Sequence, residues 1–407
     1  MLGLQEAGLA VPGSEDQSPS APKPEKQVVS FAEALHCNVK AAVLMDGITG
    51  TILYEQDARL RIPPASFVKI MTLYIVYDAI ANGEIRSDDE VTVSEKAWRM
   101  EGSKMFIGVG ERVKVEELMK GIAIVSGNDA CVAIAEYLAG AEEAFVSRMN
   151  EKAKSIGMND TLFRNASGMP DPDQYTTAMD MAILSRSYIT AYPQSLALHS
   201  TLEYRHNKIR QGNRNLLLYR NIGVDGLKTG HISAAGYHLV ATAQRGDQRM
   251  ISVIMGAERP RIRASEAQKL LEYGFRNFVT LRVLGAGDSF GPVKVSRSKV
   301  KDLMLKSAED LILTVARGRE KSVAVTPKLP ESVNAPVKIG DKVGNIVVTQ
   351  DETVIKEIPL YAAADIERSL LFSWQMIAGA ACGIVLLFSA VFMLIKRPRR
   401  QKSGLMR

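Results

Sequence analysis

The feature that most constrains this sequence is an uncharged, almost wholly apolar run over residues 376–395. Trp374 stands just before the run, and the strongly basic segment 396–402 follows it. Such a run is long enough to cross a bilayer as a helix, and a basic flank favours the cytoplasmic side. We therefore expect one transmembrane helix over 370–396, a basic cytoplasmic tail over 397–407, and the preceding chain outside the cytoplasm. A buried core helix is the alternative interpretation of the run.

Composition and charge narrow the class of protein. The chain has 407 residues, 46% of them hydrophobic, with a net charge of +6, which is typical of a folded protein of two or three domains. The positive excess suits an anionic surface such as a cell wall or lipid headgroups. No basic stripe alternates with aromatic residues, so no nucleic-acid partner is predicted. Cys37, Cys131 and Cys382 stand far apart without metal-ligand spacing, and we expect free thiols, no zinc site and no cofactor.

The remaining chain divides by pattern into three parts. Residues 1–35 are rich in Pro, Ser, Gly and charge, which predicts a disordered leader or linker without the apolar segment of a secretory signal. Residues 36–277 alternate strand-like and helix-like patterns, beginning with a probable hairpin over 41–55. Short alternating runs separated by Gly, Pro and Asp, among them 337–343, fill residues 278–366 and predict a small all-β domain.

Ser66 and Lys69 open a long apolar helix that follows two prolines. Their spacing places both side chains on one helix face, with the serine near the positive end of the helix dipole. Apolar neighbours can desolvate Lys69 and leave a neutral amine able to accept the serine proton. Taken alone, the pair fits equally the common case of a capping serine beside a solvated lysine.

Two further short motifs follow in order along the chain. Ser126-Gly127-Asn128 separates apolar helices predicted over 115–125 and 130–138, and Lys228-Thr229-Gly230 precedes two probable strands. A helix end followed by an N-cap would by itself explain the first of these. Together, Ser-x-x-Lys, Ser-x-Asn and Lys-Thr-Gly form the triple signature of the serine penicillin-recognising enzymes, which this sequence therefore resembles.

The neighbouring residues make the resemblance more specific. Segments 64–72, 126–130, 175–182, 225–231 and 235–237, together with Gly168-Met169, resemble the low-molecular-mass D-alanyl-D-alanine carboxypeptidases, peptidase family S11. The resemblance implies an α/β (α+β) fold, with a β-lactamase/transpeptidase-like catalytic domain that contains an antiparallel sheet and a helical subdomain. It also implies a small all-β domain after the catalytic one and one C-terminal transmembrane helix.

The same resemblance implies the activity. The enzyme would remove the terminal D-alanine from peptidoglycan stem pentapeptides through an acyl-serine intermediate, and β-lactam antibiotics would acylate and inhibit it. Ser66 would be the nucleophile, Lys69 its base, and Ser126 the relay of the proton to the leaving amine. The substrate-binding residues implied are Asn128 for the substrate backbone, Lys228, Thr229 and Gly230 for the terminal carboxylate, His231 with Ser66 for the oxyanion hole, and Arg263 as an assisting cation.

Two features depart from the family pattern. Ile232 stands where the family usually has a hydroxyl residue, and no export signal is visible, so we expect an upstream signal peptide missing from the recorded start. The expected location is the bacterial inner membrane, single-pass, with the catalytic domain on the periplasmic or extracellular side. One alternative is a class A-like β-lactamase, although the run Glu-x-x-Leu-Asn is absent between Asn128 and Lys228. The other is a non-catalytic cell-wall-binding protein with the same fold.

Overall fold

The structure is a computed structural model, and it describes residues 35–395. The predicted tail over 397–407 and, apart from its last residue, the predicted leader over 1–35 lie outside the described residues. Residues 36–277 contain a mixture of strands and helices, and residues 278–366 contain almost only strands.

The first part of the chain is built on a five-stranded antiparallel sheet with spatial order β2-β1-β9-β8-β7. The strands of this part are β1 (Ala41–Asp46), β2 (Ile52–Gln56), β3 (Glu90–Thr92), β4 (Arg112–Lys114), β5 (Glu203–His206), β6 (Ile209–Gly212), β7 (Val224–Ile232), β8 (Gly236–Arg245) and β9 (Gln248–Ala257). The helices are α1 (Val68–Ala81), α2 (Glu95–Arg99), α3 (Val115–Ala123), α4 (Asn128–Ala139), α5 (Glu142–Ser155), α6 (Ala178–Ala191), α7 (Ser195–His199) and α8 (Pro260–Asn277).

Helices cover both faces of the sheet, which explains why every residue of β1 is buried. Val43 belongs to the core that the sheet shares with α1, α3, α4 and α6. On the opposite face, Gly274 of α8 packs so closely that an added Cβ would lie 3.1 Å from Leu44. β7 is an edge strand, and its outer edge therefore has no strand neighbour within the sheet.

Helix α1 is the centre of the helical part. Its residues from Val68 to Val76 are all buried, whichever way they face. A helix that is apolar on every side must be surrounded by other elements, and here α3, α4, α5 and α6 surround it. Any polar group between Val68 and Val76 is consequently removed from water.

The helix boundaries around the second motif differ from the prediction. α3 ends at Ala123 instead of residue 125, and α4 begins at Asn128 instead of residue 130. Between them, Ser126 adopts a positive φ of 64°, a conformation that no helix residue can have. The chain reverses sharply there, which allows Asn128 to start a new helix at once.

The second part, residues 278–366, is the small β-rich region that the sequence predicts. Its strands are β10 (Phe278–Leu284), β11 (Ser289–Ser296), β12 (Asp302–Ser307), β13 (Leu311–Ala316), β14 (Val323–Lys328), β15 (Ser332–Asn334), β16 (Lys342–Gln350) and β17 (Thr353–Ala362). β10 pairs with β13, and the other strands form a six-stranded sheet of order β14-β16-β17-β12-β11-β15. The prediction of a strand over 337–343 is wrong, because Gly340 at φ 87° makes a turn that the Asp341 carboxylate closes on the Lys338 amide at 2.8 Å.

Polar contacts join the two parts of the chain. The buried Asp46 carboxylate at the end of β1 accepts hydrogen bonds from Thr280 Oγ1 of β10 at 2.5 Å and from Thr314 Oγ1 of β13 at 3.0 Å. Thr314 Oγ1 also lies 2.6 Å from Thr49 Oγ1 in the β1–β2 turn. The β-rich region is thus attached to the turn end of the β1–β2 hairpin.

The last described element is helix α9 (Leu370–Ile395). Within residues 35–395, one helix is long and apolar enough to cross a membrane, over Trp374–Met393, and its side chains are not buried by the protein. The predicted α/β architecture, with its antiparallel sheet, helical part, all-β region and single apolar C-terminal helix, is confirmed.

Candidate active site

Ser66 lies in the short 3-10 helix Ala65–Phe67, which runs directly into α1. One turn later Lys69 is fully buried, with 0% of its surface exposed, and its Nζ lies 3.3 Å from Ser66 Oγ. Burial lowers the pKa of Lys69, because removing an ammonium from water penalises its charged form. The buried helix that the sequence predicts therefore produces the desolvated lysine that the chemistry needs.

The other contacts of Lys69 suit a neutral amine. Its Nζ donates to Asn128 Oδ1 at 2.7 Å and to the backbone carbonyl of Ser167, two oxygens that can only accept. A neutral amine has two N–H groups and one lone pair. If the two N–H groups point at these acceptors, the lone pair is directed at the Ser66 hydroxyl, which can donate its proton.

Ser126 connects this pair to a second buried lysine. Its Oγ lies 3.0 Å from Ser66 Oγ and 3.0 Å from Lys228 Nζ. Burial, together with the charge of Lys69, holds the pKa of Lys228 well below its usual value. The four side chains form one continuous row of hydrogen-bonding groups in the order Lys69, Ser66, Ser126, Lys228.

The third motif lies on β7, at the free edge of the sheet. Gly230 faces the 3-10 helix so closely that a Cβ added there would lie 3.2 Å from Ala65 Cβ and 3.4 Å from Pro64 O. His231 is exposed, and its ring stacks on Tyr237 with centroids 4.0 Å apart. A free strand edge can pair with an extended peptide through its backbone groups, and this edge passes directly beside Ser66.

A cationic cleft of about 460 Å³ opens on one side of Ser66. Its polar lining includes Arg214, Thr229 and Arg263. Arg263 is 5% exposed and lies on α8, where its Nη1 donates to the His238 carbonyl at 3.3 Å and its Nη2 to the Arg214 carbonyl at 3.2 Å. Burial lowers the pKa of Arg263 to about 10, which still leaves it charged at neutral pH. Within residues 35–395, its buried Nε has no hydrogen-bond partner.

A neutral groove continues on the other side of Ser66. Asn128, Met169, Pro170, Ile232 and Ala234 line it, and it adjoins Ser66 and His231. Ile232, which departs from the family pattern, is partly buried in this wall and places an apolar side chain where a hydroxyl is usual. Among the described residues, no Asp or Glu lines either the cationic cleft or the neutral groove.

The structure brings the predicted site residues together at this one position. The set comprises Ser66, Lys69, Ser126, Asn128, Lys228, Thr229, Gly230, His231 and Arg263. For Asn128 the contacts differ from expectation, because its amide is used within the protein: Oδ1 accepts from Lys69, and Nδ2 donates to the Glu101 carbonyl at 2.6 Å. Its expected contact with the substrate backbone stays a prediction.

Three contributors to the site were missed by sequence reasoning. The Ser167 carbonyl binds Lys69, Arg214 lines the cationic cleft, and Asp129 binds the loop that supplies the Glu101 carbonyl. The Asp129 carboxylate accepts the Met105 amide at 2.8 Å and the Phe106 amide at 2.9 Å. An aspartate directly after the Ser-x-Asn motif was the available signal for the last of these, whereas a backbone carbonyl and an isolated arginine leave no pattern in a sequence.

Comparisons with known proteins agree with this geometry. The family model for D-alanyl-D-alanine carboxypeptidase, peptidase family S11, matches residues 28–259, and that for the penicillin-binding protein 5 C-terminal domain matches residues 278–368. D-alanyl-D-alanine carboxypeptidase DacC of Escherichia coli is 39% identical over 85% of this chain and 89% of its own length.

Solved structures lead to the same family. The crystal structure of penicillin binding protein 5 from Haemophilus influenzae is similar with a TM-score of 0.73 and 36% identity, covering 82% of this chain and 99% of that one. A penicillin-binding protein of Listeria monocytogenes in its ampicillin-bound form is similar with a TM-score of 0.55 and 32% identity, covering 59% of this chain and 98% of that one. The chain therefore belongs to peptidase family S11, the serine-type D-alanyl-D-alanine carboxypeptidases.

Proposed function

We propose that this carboxypeptidase removes the terminal D-alanine from peptidoglycan stem pentapeptides, with Ser66 as nucleophile and Lys69 as its base. The observation that carries the proposal is the row Lys69, Ser66, Ser126, Lys228, whose neighbouring polar atoms lie 3.0 to 3.3 Å apart beside a cationic cleft. A nucleophile within hydrogen-bond reach of a base, itself oriented by other groups, is the arrangement that covalent catalysis requires.

Acylation begins when Ser66 Oγ attacks the carbonyl carbon between the two D-alanines. The Oγ–H bond breaks, its proton passes to the lone pair of Lys69, and the carbonyl oxygen becomes an oxyanion. The backbone N–H groups of Ser66 and His231 are the expected donors to that oxyanion. Losing one such donor typically reduces the rate by about 10²- to 10³-fold.

Collapse of the tetrahedral intermediate breaks the peptide C–N bond. The leaving nitrogen takes a proton from Ser126, whose Oγ is reprotonated by Lys228 Nζ at 3.0 Å, while Lys69 keeps the Ser66 proton until the ester is cleaved. The carboxylate of the departing D-alanine fits the cationic cleft with Thr229 and Arg263, and the rest of the stem peptide then occupies the neutral groove. Water finally attacks the ester and frees Ser66 and the shortened peptide.

β-Lactams would acylate Ser66 by the same step and leave slowly. A class A-like β-lactamase hydrolyses its adduct with the help of a glutamate, and among the described residues none lines the cleft or the groove. We therefore expect a long-lived penicilloyl adduct. Fast steady-state hydrolysis of benzylpenicillin would contradict this expectation and favour the β-lactamase alternative.

The direct test is release of D-alanine from diacetyl-lysyl-D-alanyl-D-alanine. We expect release by the wild type, none above background by Ser66→Ala, and unchanged release by Ser147→Ala, which alters an exposed serine on α5. Trapping of labelled penicillin on the wild type but not on Ser66→Ala should accompany this result. A wild type that releases no D-alanine, or a Ser66→Ala variant that equals it, would leave the non-catalytic alternative.

We further propose that α9 anchors the chain in the bacterial inner membrane, with a catalytic domain over 36–277 and a β-rich domain over 278–366 on the periplasmic side. Support comes from the exposed apolar surface of α9 and the basic segment that follows it. Labelling of intact spheroplasts with a membrane-impermeant maleimide tests the orientation. Val354→Cys should react and Ser403→Cys should not, and the opposite pattern would overturn it.

A further inference from the structure

Three segments of the β-rich region meet at one end of its six-stranded sheet. They are the β11–β12 loop over 297–301, the segment 335–341 that precedes β16, and the segment 363–369 that leads into α9. β11 and β15 are parallel and both end there. β16 begins and β17 ends at the same level, with Lys342 opposite Tyr361. We call this end of the sheet the basal face.

Hydrogen bonds fix the basal face to the start of α9. The Ser369 amide donates to the Arg297 carbonyl at 2.8 Å, and the Ile339 amide donates to Asp365 Oδ1 at 2.6 Å. Val337 and Ile366 form an antiparallel bridge between the same two segments. Ser369 is the residue before α9 begins, and the apolar span starts four residues into that helix, about 6 Å along its axis.

This distance determines where the basal face would lie if α9 crosses a bilayer. The polar headgroup layer adds roughly 5 to 8 Å on each side of the hydrocarbon core. Segments hydrogen-bonded to residues 366 and 369 would therefore lie within or directly above the headgroups. Whether these segments can bind the headgroups then depends on the charge and polarity of their exposed side chains.

Cations predominate on the basal face. Its exposed basic residues are Arg297, Lys299, Lys301, Lys338, Lys342 and Arg368. Its own segments contribute three exposed acids, Asp341, Asp365 and Glu367. Two of the acids are used in turns, since Asp341 accepts the Lys338 amide and Asp365 accepts the Ile339 amide. Asp302, at the start of β12, forms an ion pair with Lys294.

Two apolar side chains project between these cations. Ile339 is 65% exposed and Val300 is 49% exposed, each at the tip of a loop of the basal face. Exposed aliphatic tips flanked by lysines suit the boundary between lipid headgroups and acyl chains, because the tips can enter it while the lysines meet anionic headgroups. Both loops carry the same combination of one aliphatic tip and neighbouring basic residues.

We propose that the basal face docks on the anionic phospholipid headgroups of the membrane that α9 crosses, with Ile339 and Val300 entering the interface. The inference rests on the membrane anchoring proposed above and adds a second contact to it. Docking would hold the β-rich domain in one orientation on the membrane and thereby fix the height and direction of the catalytic cleft above it.

The test uses the full chain reconstituted in vesicles of phosphatidylcholine, with or without phosphatidylglycerol. In a Cys382→Ala background, Ile339→Cys is labelled with an environment-sensitive fluorophore; Cys37 and Cys131, the other two cysteines, are buried. We expect a blue shift that increases when phosphatidylglycerol is present and is lost at about 0.5 M salt, which screens charge beyond a few ångströms. Val354→Cys is the matched control: it is 54% exposed at the opposite end of β17, about 30 Å away, and should not shift.

A charge variant tests the cations directly. The quadruple change Lys299→Gln, Lys301→Gln, Lys338→Gln and Lys342→Gln should remove the shift that depends on phosphatidylglycerol while leaving the melting temperature and D-alanine release unchanged. An unaltered shift in this variant would overturn the proposal, as would an Ile339→Cys label that responds equally to both kinds of vesicle.

Flotation of the vesicles in high salt separates this inference from the anchoring on which it rests. We expect the chain to float with both kinds of vesicle, because α9 inserts without regard to headgroup charge. If the chain floats but the fluorescence of the Ile339→Cys label does not change with phosphatidylglycerol, the anchoring by α9 is supported and the docking of the basal face is overturned. A chain that floats with neither would overturn the anchoring and the docking together.

Discussion

At the scale of single residues, the hydrogen bonds that Lys69 donates determine how its amine faces Ser66. Asn128 Oδ1 and the Ser167 carbonyl are acceptors only, and both contact its Nζ. They orient a neutral amine so that its lone pair meets the Ser66 hydroxyl. Burial supplies the neutral amine, and these two acceptors supply its direction.

The pH dependence of acylation follows from the lowered pKa of Lys69. The base must be neutral, so the second-order rate constant for acylation by a fluorescent penicillin should rise with pH through that pKa and then level off. Because the pKa lies below its ordinary value of 10.5, the rise should come at lower pH than for a solvated lysine. Lys69→Arg, which cannot lose its proton, should acylate about 10²- to 10⁴-fold more slowly and show no such rise. A rate that falls with rising pH would contradict this assignment.

Arg263 should recognise the substrate carboxylate, since it is a cation that lines the cleft beside Ser66. We expect Arg263→Gln to lower kcat/KM for a peptide ending in a free carboxylate by about 10- to 100-fold, the usual worth of a hydrogen bond to a charged group. The same peptide ending in an amide should be a poor substrate for both proteins and hardly distinguish them. Arg261→Gln, which alters an exposed arginine of the same helix, is the control. Equal losses on both peptides would exclude this role.

At the scale of elements, the nucleophile is positioned by close packing of three backbones. The 3-10 helix that carries Ser66 lies against β7 at Gly230 and against the loop at Gly168. Gly168 has a φ of 79°, and a Cβ added to it would lie 1.9 Å from Ala65 O. A side chain at Gly168 would therefore displace the backbone immediately before Ser66.

Gly168→Ala should consequently lower activity as well as stability. Gly157 offers a matched control, because it has a φ of 89° and nothing within 4 Å of the position of an added Cβ. Both alanine variants should lose about 1 kcal/mol of unfolding free energy for the left-handed backbone, and Gly168→Ala should lose more because its Cβ meets the Ala65 backbone oxygen. Gly168→Ala alone should also slow penicillin acylation by about 100-fold, as expected for misplacing a reacting group by about 1 Å. Stability is measured by chemical denaturation. Equal acylation rates in the two variants would contradict the inference that Gly168 positions Ser66 by close packing.

At the scale of the whole molecule, Asp46 joins the sheet of the catalytic region to the β-rich region. Its buried Oδ2 accepts from Thr280 and Thr314, while its Oδ1 accepts the Ile48 amide at 2.8 Å. The double variant Thr280→Val and Thr314→Val would leave Oδ2 without these partners. Leaving a buried charged group partly unsatisfied costs on the order of 3 kcal/mol.

We therefore expect that double variant to melt at lower temperature in calorimetry, with the two regions unfolding in separate transitions. D-alanine release at low temperature should stay normal, because Asp46 ends β1 at the opposite end of the strands from His231 and Ser66. Thr326→Val, which alters an exposed threonine on β14, serves as the control for loss of a hydroxyl. A single transition at the wild-type temperature would show that other contacts join the regions.

Much of the fold could be predicted because it depends on local patterns. The hairpin of β1 and β2, the apolar helix α1 and the change to short strands after α8 all follow from periodicity and turn residues. The errors lie where a local turn or a contact distant in sequence overrides that pattern. The segment 337–343 alternates like a strand, yet Asp341 and the neighbouring residues 365–366 hold most of it in a turn.

By itself the sequence determined which chemistry-bearing groups the chain has and in what order, because Ser66, Lys69, Ser126 and Lys228 stand in short motifs whose spacing is local. It also determined that Lys69 lies on an apolar helix and is therefore desolvated. Only the tertiary structure decided that hydroxyls and amines separated by 60 and 102 residues stand 3.0 Å apart, and that a carbonyl at Ser167 and a cation at Arg263 complete the site. Contacts of that kind depend on how the sheet, the helices and the loops pack against one another, which no local pattern encodes.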